Sequence, residues 1–460
     1  MTGSSDAPPN IVVVLSDEHA AAATGAYGHR EVRTPHLDRL AGQGLLFENA
    51  YCTSPMCVPS RLSLLSGRYV HEIGAWDNGI VPDGSFRSWG HHLRPAGYES
   101  VLAGRTHFNG PDRLLGFDRR LSDDLDFWLD HRGRPPARTP GWRRGSNSHV
   151  TECGPGEHVH TRHDSETTDH ALDYLQEQAA GPGGAPFLLY VGYMHPHFPL
   201  VAPPEFAAWY DPAQVTPPPT WQDPPQQQHP VIARLRYGFH NEEPLSPEQV
   251  RRATASYWAL VSHLDSQVGR LLAAIDGSPL RENTVVVYTS DHGEMAGHHG
   301  IWQKQCFYEP AVRVPLLLRL PGHQDGHRAP ARVPGDVSLV DLLPTLRDVA
   351  GLPVDPELPG RSLCPGPDLP PRPAFAEYHA QGMVDGGFML KRGRYKYCAY
   401  VGHRPQLFDL VADPWERVDL AGDRAHADLL AELAGEMERI VSPEGVDRRA
   451  KADQQRRRAG

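Results

Sequence analysis

Acidic and imidazole side chains follow three continuous apolar runs of this chain. The runs cover residues 11–15, 187–191 and 284–288. The polar residues that follow them are Asp17, Glu18 and His19, then His195 and His197, and then Asp291 and His292. Carboxylates and imidazoles bind metal ions and transfer protons, so these clusters are candidates for metal or acid–base chemistry.

A cysteine and an arginine one helical turn apart form a further candidate. Residues 57–68 have a helical pattern, with Pro59 in the first turn and Gly67 near the end. Cys57 then lies at the helix N-terminus, where free N–H groups and the helix dipole favour an anion, and Arg61 lies on the same face. The alternative for Cys57 is a buried thiol beside a helix cap.

The elements that must position these residues are strands and helices of an α/β fold. Because the three apolar runs are continuous rather than alternating, they predict buried parallel strands. The carboxyl ends of such strands meet at one edge of the sheet, where open α/β sheets bind ligands. Residues 254–275 have a helical apolar period and are followed by Gly277, so we expect helices between the strands.

The pattern changes near residue 373. Residues 388–391 and 395–400 flank a turn like the two strands of a hairpin, residues 407–410 predict another strand, and residues 425–440 an amphipathic helix. We therefore expect a catalytic α/β domain at 1–372 and a small antiparallel sheet with a helix at 373–447. The basic, apolar-poor tail at 448–460 predicts a solvated, disordered end.

Composition excludes several classes of protein. The chain has 460 residues and a net charge of −11, which disfavours nucleic-acid binding through a broad basic surface. No apolar run approaches the roughly 20 residues that span a bilayer. No export signal is visible, and six cysteines are too few for a disulfide framework, so we expect a cytoplasmic protein. The sequence leaves the oligomeric state open, and a homo-oligomer is compatible with it.

Several strings of residues resemble the type I sulfatases. The string Cys57-Val58-Pro59-Ser60-Arg61 with residues 65–68 is similar to the signature of that family. Residues 10–17, 34–41 and 289–294 match it in the same order. Residues 104–112 and 300–304 are closest to the choline-sulfatase and phosphonate-monoesterase branch. The resemblance implies an alkaline-phosphatase-like fold, with a large, mostly parallel sheet between layers of helices.

The resemblance also implies a modified nucleophile and a metal ion. In this family a formylglycine-generating enzyme oxidises the cysteine at the position of Cys57 to formylglycine (3-oxoalanine). The family match makes Asp17, Asp291 and His292 metal ligands together with residue 57. Glu18 stands where a second aspartate is common, and the sequence does not decide whether it binds the metal. We expect one divalent cation, with Ca²⁺ preferred to Mn²⁺ or Mg²⁺ because carboxylates dominate the ligand set.

Further roles follow from the resemblance alone. Those assigned to catalysis are Arg61 as stabiliser of the nucleophile, His107 as proton acceptor, and His195 with Lys304 as proton donors to the leaving group. Those assigned to substrate binding are Arg105, which replaces the usual lysine, Thr106 and Asn78. A buried histidine capping a strand is the alternative for His195 and the preferred interpretation for His197, and a turn is the alternative for Asn78.

Three functions are compatible with these residues. The first is hydrolysis of a small-molecule sulfate ester, the second is phosphonate monoester or phosphodiester hydrolysis on the same scaffold, and the third is anion binding with an unmodified Cys57. The alcohol part of the substrate is not assigned. A choline head group would need an aromatic face and a carboxylate, for which Trp128 with Asp124 or Asp126 are candidates. A tryptophan that anchors a loop is the preferred interpretation of Trp128.

Overall fold

The computed structural model describes residues 8–125, 138–139, 141–181, 184–223, 228–243 and 245–459. The strands are β1 Asn10–Asp17, β2 Leu45–Tyr51, β3 Glu99–Gly104, β4 Arg119–Ser122, β5 Cys153–Pro155, β6 Phe187–Pro196, β7 Leu200–Ala202, β8 Thr284–Ser290, β9 Arg313–Val314, β10 Leu316–Arg319, β11 Ala331–Ser338, β12 Ala374–Tyr378, β13 Gly387–Arg392, β14 Tyr395–Tyr400 and β15 Gln406–Asp409. The helices are α1 Pro35–Gly42, α2 Cys57–Ser66, α3 Val70–Ile73, α4 Trp89–Leu93, α5 Ser148–Thr151, α6 Val159–Ala180, α7 Pro204–Ala207, α8 Pro230–Gly238, α9 Pro247–Asp276, α10 Glu309–Val312, α11 Leu342–Val349, α12 Ala427–Ile440 and α13 Pro443–Ala459.

The large sheet is mixed and mostly parallel. Its strand order is β11-β2-β10-β8-β1-β6-β3-β4, with β9 paired to β2. The central strand β1 pairs in parallel with β6 on one side and β8 on the other, so Val13 lies opposite Tyr190 and Val287. The three predicted apolar strands are therefore neighbours, and their carboxyl ends lie at the same edge of the sheet, as predicted.

Layers of helices cover both faces of this sheet. Ile11, Val13 and Leu15 of β1 pack in a core that includes residues of α2 and α11. Val12 and Val14 point to the opposite face and pack with residues of α1, α6 and α9. Burial on both faces explains why these strands are continuous apolar runs. None of the helices in the described ranges is long and apolar enough to cross a bilayer.

A second sheet of four antiparallel strands has the order β12-β13-β14-β15. The turn between β13 and β14 contains Gly393 at φ 56°, a left-handed conformation that suits glycine. Leu433 and Met437 of α12 pack on this sheet beside Phe388 and Leu407. The predicted hairpin, additional strand and terminal helix are confirmed.

The prediction of a disordered tail at 448–460 is wrong for residues 448–459, which belong to α13. Asp453 accepts a hydrogen bond from the Trp76 indole N–H at 2.9 Å. Gln454 donates to Asp77 at 2.8 Å, and Arg457 forms an ion pair with the same carboxylate. This segment is ordered by hydrogen bonds and an ion pair to Trp76 and Asp77, which are buried and distant in sequence. The low apolar content of the segment could not reveal these partners.

Candidate active site

The ends of β1 and β8 and the start of α2 bring four potential metal ligands together. Asp17 is the last residue of β1, and Asp291 and His292 follow β8. With Cys57 they form a group in which one ligand atom from each residue lies within 4.8 Å of the others. All four side chains are buried. Carboxylates, an imidazole and a sulfur atom at this spacing are a donor set that suits a divalent cation.

Cys57 begins α2, as predicted, and its side chain points into this group. Its Sγ lies 3.2 Å from His292 Nε2 and 3.7 Å from Asp17 Oδ1. The residue before it, Met56, is extended, so the helix starts at the cysteine itself. Burial, reinforced by the Asp17 carboxylate, raises the pKa of the thiol. A protonated thiol is a weak nucleophile, so an unmodified Cys57 is poorly suited to attack.

Arg61 joins the two aspartates. Its Nε donates to Asp291 Oδ2 at 2.7 Å, and its Nη2 donates to Asp17 Oδ2 at 3.1 Å. Its Nη1 donates to the Tyr190 hydroxyl at 3.0 Å, which holds the guanidinium from β6. Arg61 is buried, so its charge offsets the two carboxylates where water cannot.

Arg105 and His107 approach the same group from the loop after β3. Arg105 Nε donates to Asp17 Oδ2 at 3.2 Å, and its Nη2 donates to His107 Nδ1 at 2.8 Å. Burial and the adjacent Arg105 charge hold the pKa of His107 well below its usual value. His107 is therefore neutral, and because Nδ1 accepts a hydrogen bond its proton lies on Nε2.

The net electrostatic balance favours an ionised Asp17. Burial alone would raise the pKa of this carboxyl group, but the electrostatic influence of His197, Arg61 and Arg105 outweighs burial. The pKa of Asp17 is consequently well below its usual value. A carboxylate that stays ionised is ready to bind a cation.

Glu18 forms a second polar group beside the first. Its Oε2 accepts a hydrogen bond from Lys304 Nζ at 2.9 Å and lies 3.4 Å from His197 Nε2. Burial raises the pKa of Glu18, Lys304 opposes this shift, and the neighbouring Glu294 adds to it. Asp17, Glu18 and His197 also place one ligand atom each within 4.8 Å of one another. Glu18 therefore connects the Asp17 group to a buried lysine.

Comparison with known proteins assigns this site to a family. The family model "Sulfatase" matches residues 9–352. The chain belongs to the sulfatase family. A model described as "N-sulphoglucosamine sulphohydrolase, C-terminal" matches residues 297–442 of the sulfatase.

The relatives of this sulfatase include enzymes that act on different esters. It is 32% identical over 429 residues to the choline-sulfatase of Rhizobium meliloti (strain 1021), covering 90% of this chain and 82% of the relative. It is 30% identical over 448 residues to arylsulfatase K of Canis lupus familiaris, covering 90% and 79%. The phosphonate monoester hydrolase of Agrobacterium radiobacter superposes with a TM-score of 0.76 at 25% identity, covering 93% and 94%. The predicted family, fold and enzyme class are confirmed.

The structure places His197, and not His195, beside Lys304. His195 Nδ1 lies 2.8 Å from His263 Nδ1 of α9, and its backbone N–H donates to Asp164 of α6. It continues the face of β6 that carries Val191 and Tyr193 toward these helices. His195 therefore faces α6 and α9, and its role as a proton donor together with Lys304 stays a prediction. His197 Nε2, in contrast, lies 3.4 Å from Glu18 Oε2.

Asn78 and Thr106 have structural partners in this sulfatase. Asn78 Oδ1 accepts from the backbone N–H of Val58 at 3.0 Å, in the first turn of α2. Thr106 Oγ1 accepts from Arg120 Nη2 at 2.8 Å, and Asp124 accepts from the backbone N–H of Thr106 at 2.9 Å. Both residues support the loops around the site. Asp124 is used in the same way, and Trp128 and Asp126 lie outside the described residues.

Sequence reasoning missed two charged residues near the site. Glu294 contributes to the raised pKa of Glu18, and it lies within the matched string at residues 289–294, so the string itself could have indicated it. Arg144 places its guanidinium 4.9 Å from the ring of Phe198, next to His197. Arg144 belongs to a segment rich in Arg and Gly, and only the three-dimensional structure distinguishes it from its neighbours.

Proposed function

We propose that this sulfatase hydrolyses a small-molecule sulfate monoester after conversion of Cys57 to formylglycine. The observation that carries the proposal is the position of Cys57 Sγ, at the start of α2 and 3.2 Å from His292 within the donor group of Asp17, Asp291 and His292. A nucleophile here would lie beside a bound cation and in front of the Arg61 guanidinium.

The donor group fits a divalent cation. Asp17, Asp291 and His292 would hold it together with residue 57, and the excess of carboxylate donors favours Ca²⁺ over softer ions. Such a cation lowers the pKa of a nearby hydroxyl and neutralises sulfate oxygens when bound. Formylglycine in its hydrated form offers two hydroxyl groups, one for attack on sulfur and one for release of sulfate.

Arg61, His107 and Arg105 have separate roles in the proposed reaction. Arg61, held by both aspartates, stabilises negative charge on the nucleophile. His107 Nδ1 accepts from Arg105, so the neutral imidazole donates from Nε2 to an anionic oxygen. This differs from the proton-acceptor role that the resemblance implies. Arg105 itself supplies a buried positive charge beside the sulfate.

Lys304 and His197 are the groups that we assign to the leaving oxygen. Burial would lower the pKa of Lys304, but the surrounding acidic groups of Cys57, Glu18 and Asp17 outweigh burial and raise it. Lys304, which donates to Glu18, therefore stays an ammonium. His197 donates from Nδ1 to the Phe198 carbonyl at 2.6 Å, which leaves Nε2 to exchange a proton at the site. We assign the same segment's His195 to packing.

Mass spectrometry of the peptide that contains Cys57 tests this proposal, after co-expression with a formylglycine-generating enzyme. We expect the aldehyde at residue 57, together with hydrolysis of phenyl sulfate that scales with the modified fraction. An unmodified thiol in an active preparation would overturn the mechanism.

Phosphonate monoester hydrolysis is the second candidate, because the fold superposes on that of a phosphonate monoester hydrolase with a TM-score of 0.76. Comparing kcat/KM for phenyl sulfate and for a phenyl phosphonate monoester separates the two. A strong preference for the phosphorus ester would favour the second candidate.

A further inference from the structure

Two cations lie around one aromatic ring next to the proposed leaving-group residues. Lys304 Nζ lies 5.1 Å and Arg144 Cζ 4.9 Å from the centroid of the Phe198 ring. The ring also stacks on His197, with the two centroids 4.0 Å apart. Lys304 is buried, whereas Phe198 and Arg144 are half-buried. Arg144 is thus a more exposed cation within reach of the site.

The backbone of Arg144 is anchored on both sides. Its N–H donates to the carbonyl of Gly238 at 2.8 Å, at the end of α8. Its carbonyl accepts from His240 Nε2 at 2.6 Å. These two bonds fix the direction from which the side chain reaches Phe198. Position and direction are therefore set before any ligand binds.

Arg144 differs from its neighbour Arg143 in its contacts with the acidic residues that the structure describes. Arg143 forms ion pairs with Glu242 at 2.6 Å and Glu243 at 2.8 Å. Within the described part of the chain, no carboxylate lies within ion-pair distance of Arg144. Glu18 is the acid whose charge reaches it, and Glu18 Oε2 already accepts from Lys304. A half-buried guanidinium without a carboxylate partner among the described residues gains a favourable interaction when an anion binds.

Provided that the proposed hydrolysis of a sulfate ester holds, the geometry points to Arg144 as a specificity-determining residue that binds a second anionic group on the alcohol part of the substrate. A carboxylate and a second sulfate both offer two anionic oxygens that a guanidinium binds through two N–H groups. The substrate class is then a sulfate ester of an acidic alcohol.

The same arrangement opposes a quaternary ammonium alcohol such as choline. A cation of that kind needs an aromatic face and a nearby negative charge. The Phe198 ring already has Lys304 and Arg144 around it, and both would repel another positive charge. The choline-sulfatase relative is therefore a poor guide to the alcohol that this chain accepts.

Binding of aryl sulfonates tests the inference without turnover. The probes, measured by calorimetry on the protein with Ca²⁺ supplied, are benzenesulfonate, 3-sulfobenzoate, benzene-1,3-disulfonate and 3-(trimethylammonio)benzenesulfonate. We expect one or both of the dianions to bind about 10- to 100-fold more tightly than benzenesulfonate, as for a hydrogen-bonded charge pair, and the trimethylammonio compound to bind more weakly. The dianion that binds more tightly shows whether the second anionic group of the substrate is a carboxylate or a sulfate.

Arg144→Gln should abolish this preference while keeping the affinity for benzenesulfonate within about twofold, and Arg143→Gln is the matched control that should keep it. Equal binding of all probes, tighter binding of the cationic one, binding of none, or a preference that survives in Arg144→Gln would each overturn the inference. Turnover of phenyl sulfate, which has no second anionic group, is read separately, and its absence would count against the proposed function and not against Arg144.

Discussion

Lys304 donates to Glu18 across 2.9 Å, and this bond joins residues that are 286 positions apart in the chain. Glu18 follows β1 with a φ of 71°, a conformation that is costly for a residue with a side chain. The Glu18 carboxylate reaches the lysine, while one ligand atom each of Glu18 and Asp17 lie within 4.8 Å of one another. Asp17 is a proposed ligand of the cation, whereas Glu18 binds Lys304, a proposed proton donor.

Cys57→Ala should abolish turnover, lowering kcat by at least about 10⁴-fold, because it removes the proposed nucleophile. The melting temperature should change little, since the site is already formed by the aspartates and Arg61. Cys52→Ala, at another buried cysteine, is the matched control and should retain activity. Retained turnover in Cys57→Ala would exclude the mechanism.

His197→Asn should lower kcat/KM by about 10²- to 10⁴-fold on esters with poor leaving groups, the usual range for a general acid. Nitrophenyl sulfate, whose leaving group needs no proton, should be affected much less. His195→Asn is the control, and it should lower stability through its contacts with His263 and Asp164 more than it lowers kcat. A larger loss of kcat in His195→Asn than in His197→Asn would assign the leaving-group role to His195.

Lys304→Arg should lose more activity than Arg105→Lys. Lys304 is a buried, compact ammonium between Glu18 and Phe198, and the larger planar guanidinium does not fit the same contacts. Lysine at 105 keeps the positive charge near Asp17 but loses the second bond to His107. Measurement of kcat/KM for the two variants tests this prediction. A larger loss in Arg105→Lys would show that the roles of the two cations have been assigned wrongly.

Removal of divalent ions should eliminate turnover, and Ca²⁺ should restore it better than Mn²⁺ or Mg²⁺. The aspartates at 17 and 291 are buried together, so a cation also reduces their repulsion and should raise the melting temperature. Asp291→Asn should lower the bound metal measured by elemental analysis. Full activity after thorough metal removal would contradict the assignment of this group.

Stability should fall in acid because of Glu377, a buried carboxylate that bonds to both His71 and His379. Burial would raise the pKa of Glu377, but the positive charge of His71 and hydrogen bonds from His379 and His71 lower it to about 2. A depressed carboxyl pKa stabilises the folded state above the ordinary pKa, and this contribution is lost as the pH falls from about 4.5 toward 2.

The comparison that checks this is the free energy of unfolding of the native protein and of Glu377→Gln between pH 6 and pH 3. We expect the native protein to lose stability relative to the variant as the pH falls, with a full contribution of about 3 kcal/mol. A difference between the two proteins that does not change with pH would show that Glu377 titrates normally.

Periodicity predicted the sheet edge, because continuous apolar runs specify buried strands and β1, β6 and β8 are such runs. The motifs named Asp17, Cys57, Asp291 and His292, which the structure brings together at that edge. They did not separate His195 from His197. His195 lies near the end of β6 and His197 directly follows that strand. The pairing of β1 with β6 shifts its register after Leu15, so spacing alone could not tell which side chain faces the site. Arg144 had no motif, and its role depends on hydrogen bonds to residues 238–240.

The contacts of α13 with the region around α2 form only after the residues near Cys57 have been synthesised. Asp77, next to the Asn78 that accepts from the first turn of α2, is held by Gln454, which is synthesised 377 residues later. Cys57 is only 2% exposed once the structure is complete. An enzyme that converts Cys57, as proposed, therefore has to reach it in the incompletely folded chain, and folding ends the period in which the nucleophile can be made.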